Sequence, residues 1–363
     1  VKSPASSSRI AAEIRERGPM PFARFMEIAL YDPENGYYGS GRATIGRGGD
    51  FYTNVSVGPL FGWLLAAQFE QMWELLGRSS PFYVIEQGAH DGRLAADILS
   101  VAGGAFAEAL RYVIVEPSDA LRALQEKTLE GTNVRHARTL GELGAVDGVV
   151  FGNELIDAFP FHLLRSMGEG WEELFVVGAG EGFEFVDGLL SAAAASEAAH
   201  LPQRDAGFLA EVRPAAGSWL REVSGVLKRG YVLLPDYGDE SELLFSPVKT
   251  RGTFACYKDH RRDDLVLECP GEKDITSHVD FTALSRLAAD EGFAQAGYTD
   301  QHHFIVALAE PMLKAIDGQA PAKFLRQLQT LMHPQIMGRA FKFLALAKDA
   351  PAELTGFRHG GNF

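Results

Sequence analysis

Acidic side chains recur at one kind of place in this chain, the end of a short apolar run. Glu86 closes Phe82-Tyr83-Val84-Ile85, and Glu116 closes Tyr112-Val113-Ile114-Val115. Asn153-Glu154 follows Val149-Val150-Phe151-Gly152, and Asp236 follows Tyr231-Val232-Leu233-Leu234-Pro235. Apolar runs of this length read as strands buried on both faces of a parallel sheet. Polar residues at the carboxyl ends of such strands lie where open α/β sheets bind ligands. A carboxylate there accepts hydrogen bonds from hydroxyls or holds a cationic group. After Glu86 come Gln87-Gly88-Ala89-His90-Asp91-Gly92, and Leu94, Ala95, Ile98 and Leu99 then recur at helical spacing. Glycines let backbone approach a ligand closely, and a helix start offers free N–H groups to an anion.

The pattern is that of a nucleotide-type site, with an ordinary strand-to-helix connection as the alternative. Glu116, roughly 24 residues after Gly92, is spaced to accept hydrogen bonds from both ribose hydroxyls. His90 stands where a middle glycine is usual, which makes the turn a poor pyrophosphate cradle. In an S-adenosylmethionine enzyme the anionic end is only the methionine carboxylate, so the demand for glycine is looser.

These residues need a scaffold of alternating strands and helices, hence an α/β fold with a mostly parallel sheet. A helical lead-in occupies residues 1–78 and carries a glycine-rich lid loop over 39–50. The core spans 79–310, with an insertion at about 166–216 before the fifth strand. Within that insertion Trp171 to Val177 and Phe183 to Val186 flank a glycine-rich hairpin turn. The polar stretch 250–280 reads as a functional loop, His303 to Leu308 as a closing strand, and 311–363 as a helical tail. The Phe/Leu-rich residues of that tail either bury against the core or form a homodimer face.

Composition sets bounds on function. A chain of 363 residues is long enough for a real core, and a net charge of −14 argues against a general nucleic-acid binder. The two cysteines make no zinc site, and no His/Cys cluster has metal-ligand spacing, so no metal is expected. They read as reduced thiols of a cytoplasmic protein. No apolar run reaches membrane-spanning length and no apolar signal core opens the chain, so no membrane insertion is expected.

Several ordered motifs resemble those of the MidA family. They are Gly18-Pro19-Met20-Pro21-Phe22 with Phe25-Met26 and Ala29-Leu30-Tyr31, then Gly36-Tyr37-Tyr38, then Gly49-Asp50-Phe51-Tyr52-Thr53. The likeness continues through Glu86, Gly88 and Gly92, Gly152-Asn153-Glu154-Leu155-Ile156-Asp157-Ala158-Phe159-Pro160, Asp236-Tyr237-Gly238, and Asp274-Ile275-Thr276-Ser277-His278-Val279-Asp280-Phe281. The family's turn usually has glycine where this chain has His90. The mitochondrial members are complex I assembly factors.

The resemblance implies a Rossmann-like, seven-strand methyltransferase that uses S-adenosylmethionine and methylates an arginine of a protein, with a respiratory-complex subunit as its partner. Glu86, Gly88, His90 and Gly92 form the turn that is the candidate to bind the cofactor, with Glu116 on its ribose and Asn153 on its methionine amine or carboxylate, and Asp50 and Thr53, beside the glycine loop, are candidates to close over it. The alternative for Asp50 and Thr53 is a structural lid turn. Methyl transfer to a guanidine nitrogen calls for carboxylates that hold and polarise the group. Glu154 is the first candidate, with Asp157 and Asp236 next. Asp157 could instead be a helix cap, and Glu154 could only orient Asn153. His278 and Asp280 are candidates for the substrate side, although a lone loop histidine is more often a structural hydrogen-bonder. A non-catalytic assembly protein that keeps this fold is the rival reading, and a nicotinamide oxidoreductase is disfavoured by the turn.

Overall fold

Among the described residues, seven strands lie side by side along one eight-stranded sheet. They are β1 (Phe82–Gln87), β2 (Leu110–Val115), β3 (Arg135–Ala137), β4 (Val146–Phe151), β5 (Leu227–Asp239), β6 (Ala294–Asp300) and β7 (Phe341–Lys348). In the computed structural model, which describes residues 5–40, 53–258, 261–315 and 321–359, their order is β6-β7-β5-β4-β1-β2-β3. Strands β3, β2, β1, β4 and β5 are parallel neighbours, and β7 is antiparallel to both β5 and β6. The chain runs outward from β1 through β2 to β3 and then returns to β4 on the other side of β1. That reversal opens a crevice at the carboxyl ends of β1 and β4, where ligands bind in open α/β sheets.

Burial explains why these runs are strands. Phe82, Val84, Ile85, Val149, Val150 and Phe151 are all buried, as a strand covered on both faces requires. Helix α1 (Leu60–Leu75) is apolar nearly all round and buries Leu60, Phe61, Leu64, Leu65, Phe69 and Met72. The ring of Phe69 packs at 5.1 Å from that of Phe151 on β4. Each such side chain contributes about 1.5–3 kcal/mol by leaving water. The turn after β1 leads into α2 (Arg93–Leu99), and the turn after β2 leads into α3 (Asp119–Thr128). Ser118 caps α3 by accepting a hydrogen bond from the Leu121 N–H at 3.4 Å.

The chain divides into two units. The sheet just described belongs to the unit made of residues 52–156, 219–238 and 283–363. The other unit comprises residues 1–51, 157–218 and 239–282. Its five-stranded antiparallel sheet joins Met20–Pro21, His162–Ser166, Trp171–Ala179, Gly182–Gly188 and Leu209–Val212. The helix Phe22–Tyr31 buries Phe22, Phe25, Met26, Ile28, Ala29 and Leu30 in that unit. The ring of Phe22 lies 5.2 Å from that of Phe161. The expected hairpin is present, as Trp171–Ala179 paired with Gly182–Gly188. Within 250–280, read as a loop, Ala255–Lys258, Arg261–Asp263 and Asp274–Thr276 form a three-stranded sheet.

The mixed α/β architecture with a large sheet agrees with the sequence. Two elements near the C-terminus differ. Residues 303–308, expected as a strand, lie in helix α4 (Gln301–Ala315), and the strand is the preceding segment, β6. Asp300 is the reason, because its carboxylate accepts the His303 N–H at 2.9 Å and starts the helix. Phe341–Lys348, expected within a helical tail, is β7. Its Phe341, Phe343, Ala345 and Ala347 share one apolar cluster, the period of two that a strand imposes. Among the described residues no helix is long and apolar enough to cross a membrane.

Candidate functional site

The turn after β1 is built for close approach. Gly88 and Gly92 sit at φ +76° and +79°, and His90 at +44°, all in the left-handed region. A Cβ on Gly92 would lie 3.1 Å from Leu129 Cδ1, and one on Gly88 would lie 3.3 Å from Leu155 Cδ1. His90 takes the left-handed conformation that its position demands, so the turn forms without the usual middle glycine. Asp91 caps the start of α2 by accepting the Arg93 N–H at 3.1 Å.

Glu86, next to the last residue of β1, has only 2% of its surface exposed. Tyr112 on the neighbouring strand donates to its Oε2 at 2.7 Å. Burial pushes the Glu86 carboxyl up to about 7, against the opposing pull of the Tyr112 hydroxyl. Glu116, past the end of β2, is also buried. Its Oε1 accepts the Ser118 N–H at 2.8 Å, and its Oε2 accepts from Gln125 Nε2 at 3.3 Å. Burial raises this carboxyl from its ordinary range, and the bonds from Ser118 and Gln125 offset part of that rise.

Across β1, the end of β4 presents Asn153 and Glu154. Asn153 Nδ2 donates to Glu154 Oε1 at 2.9 Å, and Asn54 Nδ2 reaches Asn153 Oδ1 at 3.5 Å. Glu154 has φ +53°, and its N–H donates to the Pro235 carbonyl on β5 at 3.0 Å. Asp236 accepts the Ile156 N–H at 2.8 Å through Oδ2 and the Tyr237 N–H at 2.8 Å through Oδ1. It thereby fixes the segment that carries Glu154. Thr53 caps the short helix Asn54–Val57 through Ser56, its N–H lying 3.3 Å from Ser56 Oγ. Asp50 lies outside the described residues.

Thus Glu86, Gly88, His90, Gly92, Glu116, Asn153, Glu154 and Asp236 all belong to the sheet unit and cluster at or beside its strand ends. Asp157, His278 and Asp280 belong to the other unit. There Asp157 is buried, and burial pushes its carboxyl up to about 6 against the nearby Arg213 charge. Arg213 donates to the carbonyls of Asp157 at 3.1 Å, Ser277 at 2.8 Å and His278 at 3.2 Å. The His278 N–H donates to Thr253 Oγ1 at 3.0 Å. Asp280 accepts the Thr282 N–H at 3.0 Å and the Ser241 hydroxyl at 2.7 Å, so it caps the helix Phe281–Asp290.

Four contributors escaped the sequence reading: Tyr112, Gln125, Asn54 and Arg213. Tyr112 left a trace, since a hydroxyl inside the strand Leu110–Val115 needs a buried partner. Gln125, Asn54 and Arg213 are single polar residues whose partners are distant in sequence.

The profile of the Methyltransf_28 family, described as S-adenosyl-L-methionine-dependent methyltransferase, matches residues 64–299. A human mitochondrial protein named protein arginine methyltransferase NDUFAF7 is 29% identical over 368 residues, covering 92% of this chain and 81% of that protein. The Drosophila melanogaster homolog of that protein is 28% identical, covering 94% of this chain and 84% of its own length. A crystal structure of a Burkholderia thailandensis protein bound to S-adenosyl-homocysteine matches with a TM-score of 0.89 and 33% identity, over 98% of this chain and 95% of that one.

Proposed function

Because this chain belongs to the Methyltransf_28 family of S-adenosyl-L-methionine-dependent methyltransferases and its cofactor is S-adenosylmethionine, we propose that it methylates an arginine side chain of a protein. The observation that carries this reading is the Asn153–Glu154 pair at the switch point of the sheet. Glu154 is half-buried there, oriented by Asn153 and by its own N–H on β5. Relatives named as protein arginine methyltransferases support the acceptor class. A net charge of −14 suits a basic protein segment. Among proteins, the MidA resemblance points to a respiratory-complex subunit, and the free thiols of Cys256 and Cys269 suit the reducing cytoplasm.

The residues present fit the cofactor. Asn54 Oδ1 is a buried acceptor without a hydrogen-bond partner, so an N–H donor from a ligand would satisfy it. A Cβ at Gly88 or Gly92 would crowd Leu155 or Leu129, and both glycines sit in the left-handed region. Glu116 would hold the ribose hydroxyls. The turn and the N-terminus of α2 would hold the methionine carboxylate, and Asn153 with Asn54 its amine. When bound, the cofactor supplies an electrophilic methyl group on a sulfonium. Glu154 holds and polarises the guanidinium and takes up the proton that the attacking nitrogen gives up. Asp236 holds the Glu154 segment in place through Ile156. Asp157, the second candidate acid, and Asp280 and His278, candidates for the substrate side, lie in the other unit.

The test is transfer of labelled methyl from S-adenosylmethionine to proteins with exposed arginines. Label should appear on arginine, and Glu154→Gln should bind S-adenosylhomocysteine normally while losing about 100-fold or more in turnover. A Glu154→Gln variant as fast as wild type removes Glu154 from the mechanism. Label found only on another residue type removes arginine as the acceptor.

A further inference from the structure

One glutamine on α3 touches both halves of the cofactor site. Gln125 is fully buried, at 0% exposure. Its Nε2 donates to the His90 carbonyl at 3.0 Å and to Glu116 Oε2 at 3.3 Å. The carbonyl can only accept, so the orientation of the amide is set. The backbone is equally close, because Gln125 Cα lies 3.5 Å from where a Cβ on Gly92 would sit. Helix α3 therefore packs directly on the glycine turn. Gln125 Oε1 has no partner. Packing alone favours an apolar residue at such a site, so the amide is there for its two donated bonds.

We infer that Gln125 is a positioning residue that locks the Glu116 carboxylate to the His90 turn, so that the ribose acid and the glycine turn act as one preformed cradle. This rests on the assignment of Glu116 to the ribose hydroxyls. Glu116 Oε1 is already held by the Ser118 N–H, and Gln125 fixes the second oxygen. A carboxylate restrained at both oxygens loses little freedom when a ligand arrives, which is the benefit of preorganisation.

The experiment is calorimetric titration of the full chain with S-adenosylhomocysteine, for wild type, Gln125→Met, Glu116→Gln and the double variant. Methionine keeps the length and apolar packing of the side chain and removes both donors. Gln125→Met is expected to bind about tenfold more weakly, the scale of one hydrogen bond to a charged group. Glu116→Gln should bind more weakly still, and the double variant no more weakly than Glu116→Gln alone. An analogue lacking both ribose hydroxyls should bind wild type and Gln125→Met equally, a result that a merely structural role would not produce. Losses that add in the double variant overturn the inference, as does equal weakening toward the analogue. Should Glu116→Gln weaken binding while Gln125→Met does not, the inference fails and the ribose assignment survives. Unchanged binding by Glu116→Gln overturns the ribose assignment itself, and the inference with it.

Discussion

The Tyr112 hydroxyl donates a 2.7 Å hydrogen bond to Glu86 Oε2 between two neighbouring parallel strands, with both side chains buried. Burial of that carboxyl, which the Tyr112 bond only partly offsets, makes the stability of the protein depend on pH. Burial raises the Glu86 carboxyl to about 7, above its ordinary value of 4.5. Between those values the folded state binds more protons at Glu86 than the unfolded state does, so stability falls as pH rises. The slope approaches about 1.4 kcal/mol per pH unit inside the window. Below the unfolded value the contribution is fully present, and it is lost as pH rises through about 7. Glu86→Gln keeps an acceptor for Tyr112 and removes the ionisation. Urea melts at pH 5 and pH 8 should show a larger difference for wild type than for Glu86→Gln. Equal differences would mean that Glu86 titrates normally.

Gly92 couples the turn to α3. It sits at φ +79°, and a Cβ there would meet Leu129 Cδ1 at 3.1 Å. Gly92→Ala should destabilise the protein by about 1–2 kcal/mol from the left-handed backbone alone. It should also weaken S-adenosylhomocysteine binding, because displacing Leu129 displaces the helix that carries Gln125. Chemical denaturation and titration of the same sample read both effects. A variant that loses stability and keeps its affinity would show that the helix is not part of the cradle.

The strand ends of the cofactor region were legible because two local signals coincide there. A short apolar run defines each strand, and a polar residue or glycine ends it. The positive φ of His90 could be anticipated from its place in the turn. Long-range pairing was less legible. Phe341–Lys348 carries apolar residues that fit either period, and it is a strand because β5 and β6 leave a slot for it. Met20–Pro21 looked like part of a helical lead-in, yet it pairs with Trp171–Ala179, the strand of the expected insertion. Nothing local announces such a partner. Gln125 is hidden for the same reason, since it acts on a carbonyl far from it in sequence.

Arg213 organises the Asp157 segment of its own unit. Its guanidinium donates to the carbonyls of Asp157 and Ser277 and to Ser277 Oγ at 2.6 Å, and it lies over the Phe161 ring at 5.5 Å. Arg213→Met removes the guanidinium's donated bonds from those acceptors and should cost about 2–4 kcal/mol in unfolding free energy. Arg213→Lys, with one compact ammonium, should fall between the two. The charge of Arg213 also holds Asp157 down, so the Met variant raises that carboxyl further above about 6. If Asp157 acts as an anion in turnover, the acidic limb of the rate profile moves to higher pH in Arg213→Met and stays in place in Arg213→Lys. A wild-type melt and an unmoved limb together would exclude this role.

Asn54 is fully buried, and its Oδ1 has no partner, while its Nδ2 reaches Asn153 at 3.5 Å. An unsatisfied buried acceptor costs about 1–3 kcal/mol, a cost that a donor from a bound ligand would remove. Strand order says which part of the ligand that is. Glu116, the proposed ribose acid, follows β2, on one side of β1, whereas Asn153 follows β4, on the other. A cofactor laid across the end of β1 with its ribose at Glu116 therefore turns its methionine end toward Asn153 and Asn54. Asn54→Leu, nearly the same size, should be at least as stable as wild type without cofactor. It should also bind S-adenosylhomocysteine about tenfold more weakly, as expected for one lost hydrogen bond to a charged group. The loss should vanish for an analogue lacking the amino group, because the donor is then missing from the ligand. A loss of the same size for that analogue places Asn54 in the packing of the site and not in contact with the amine.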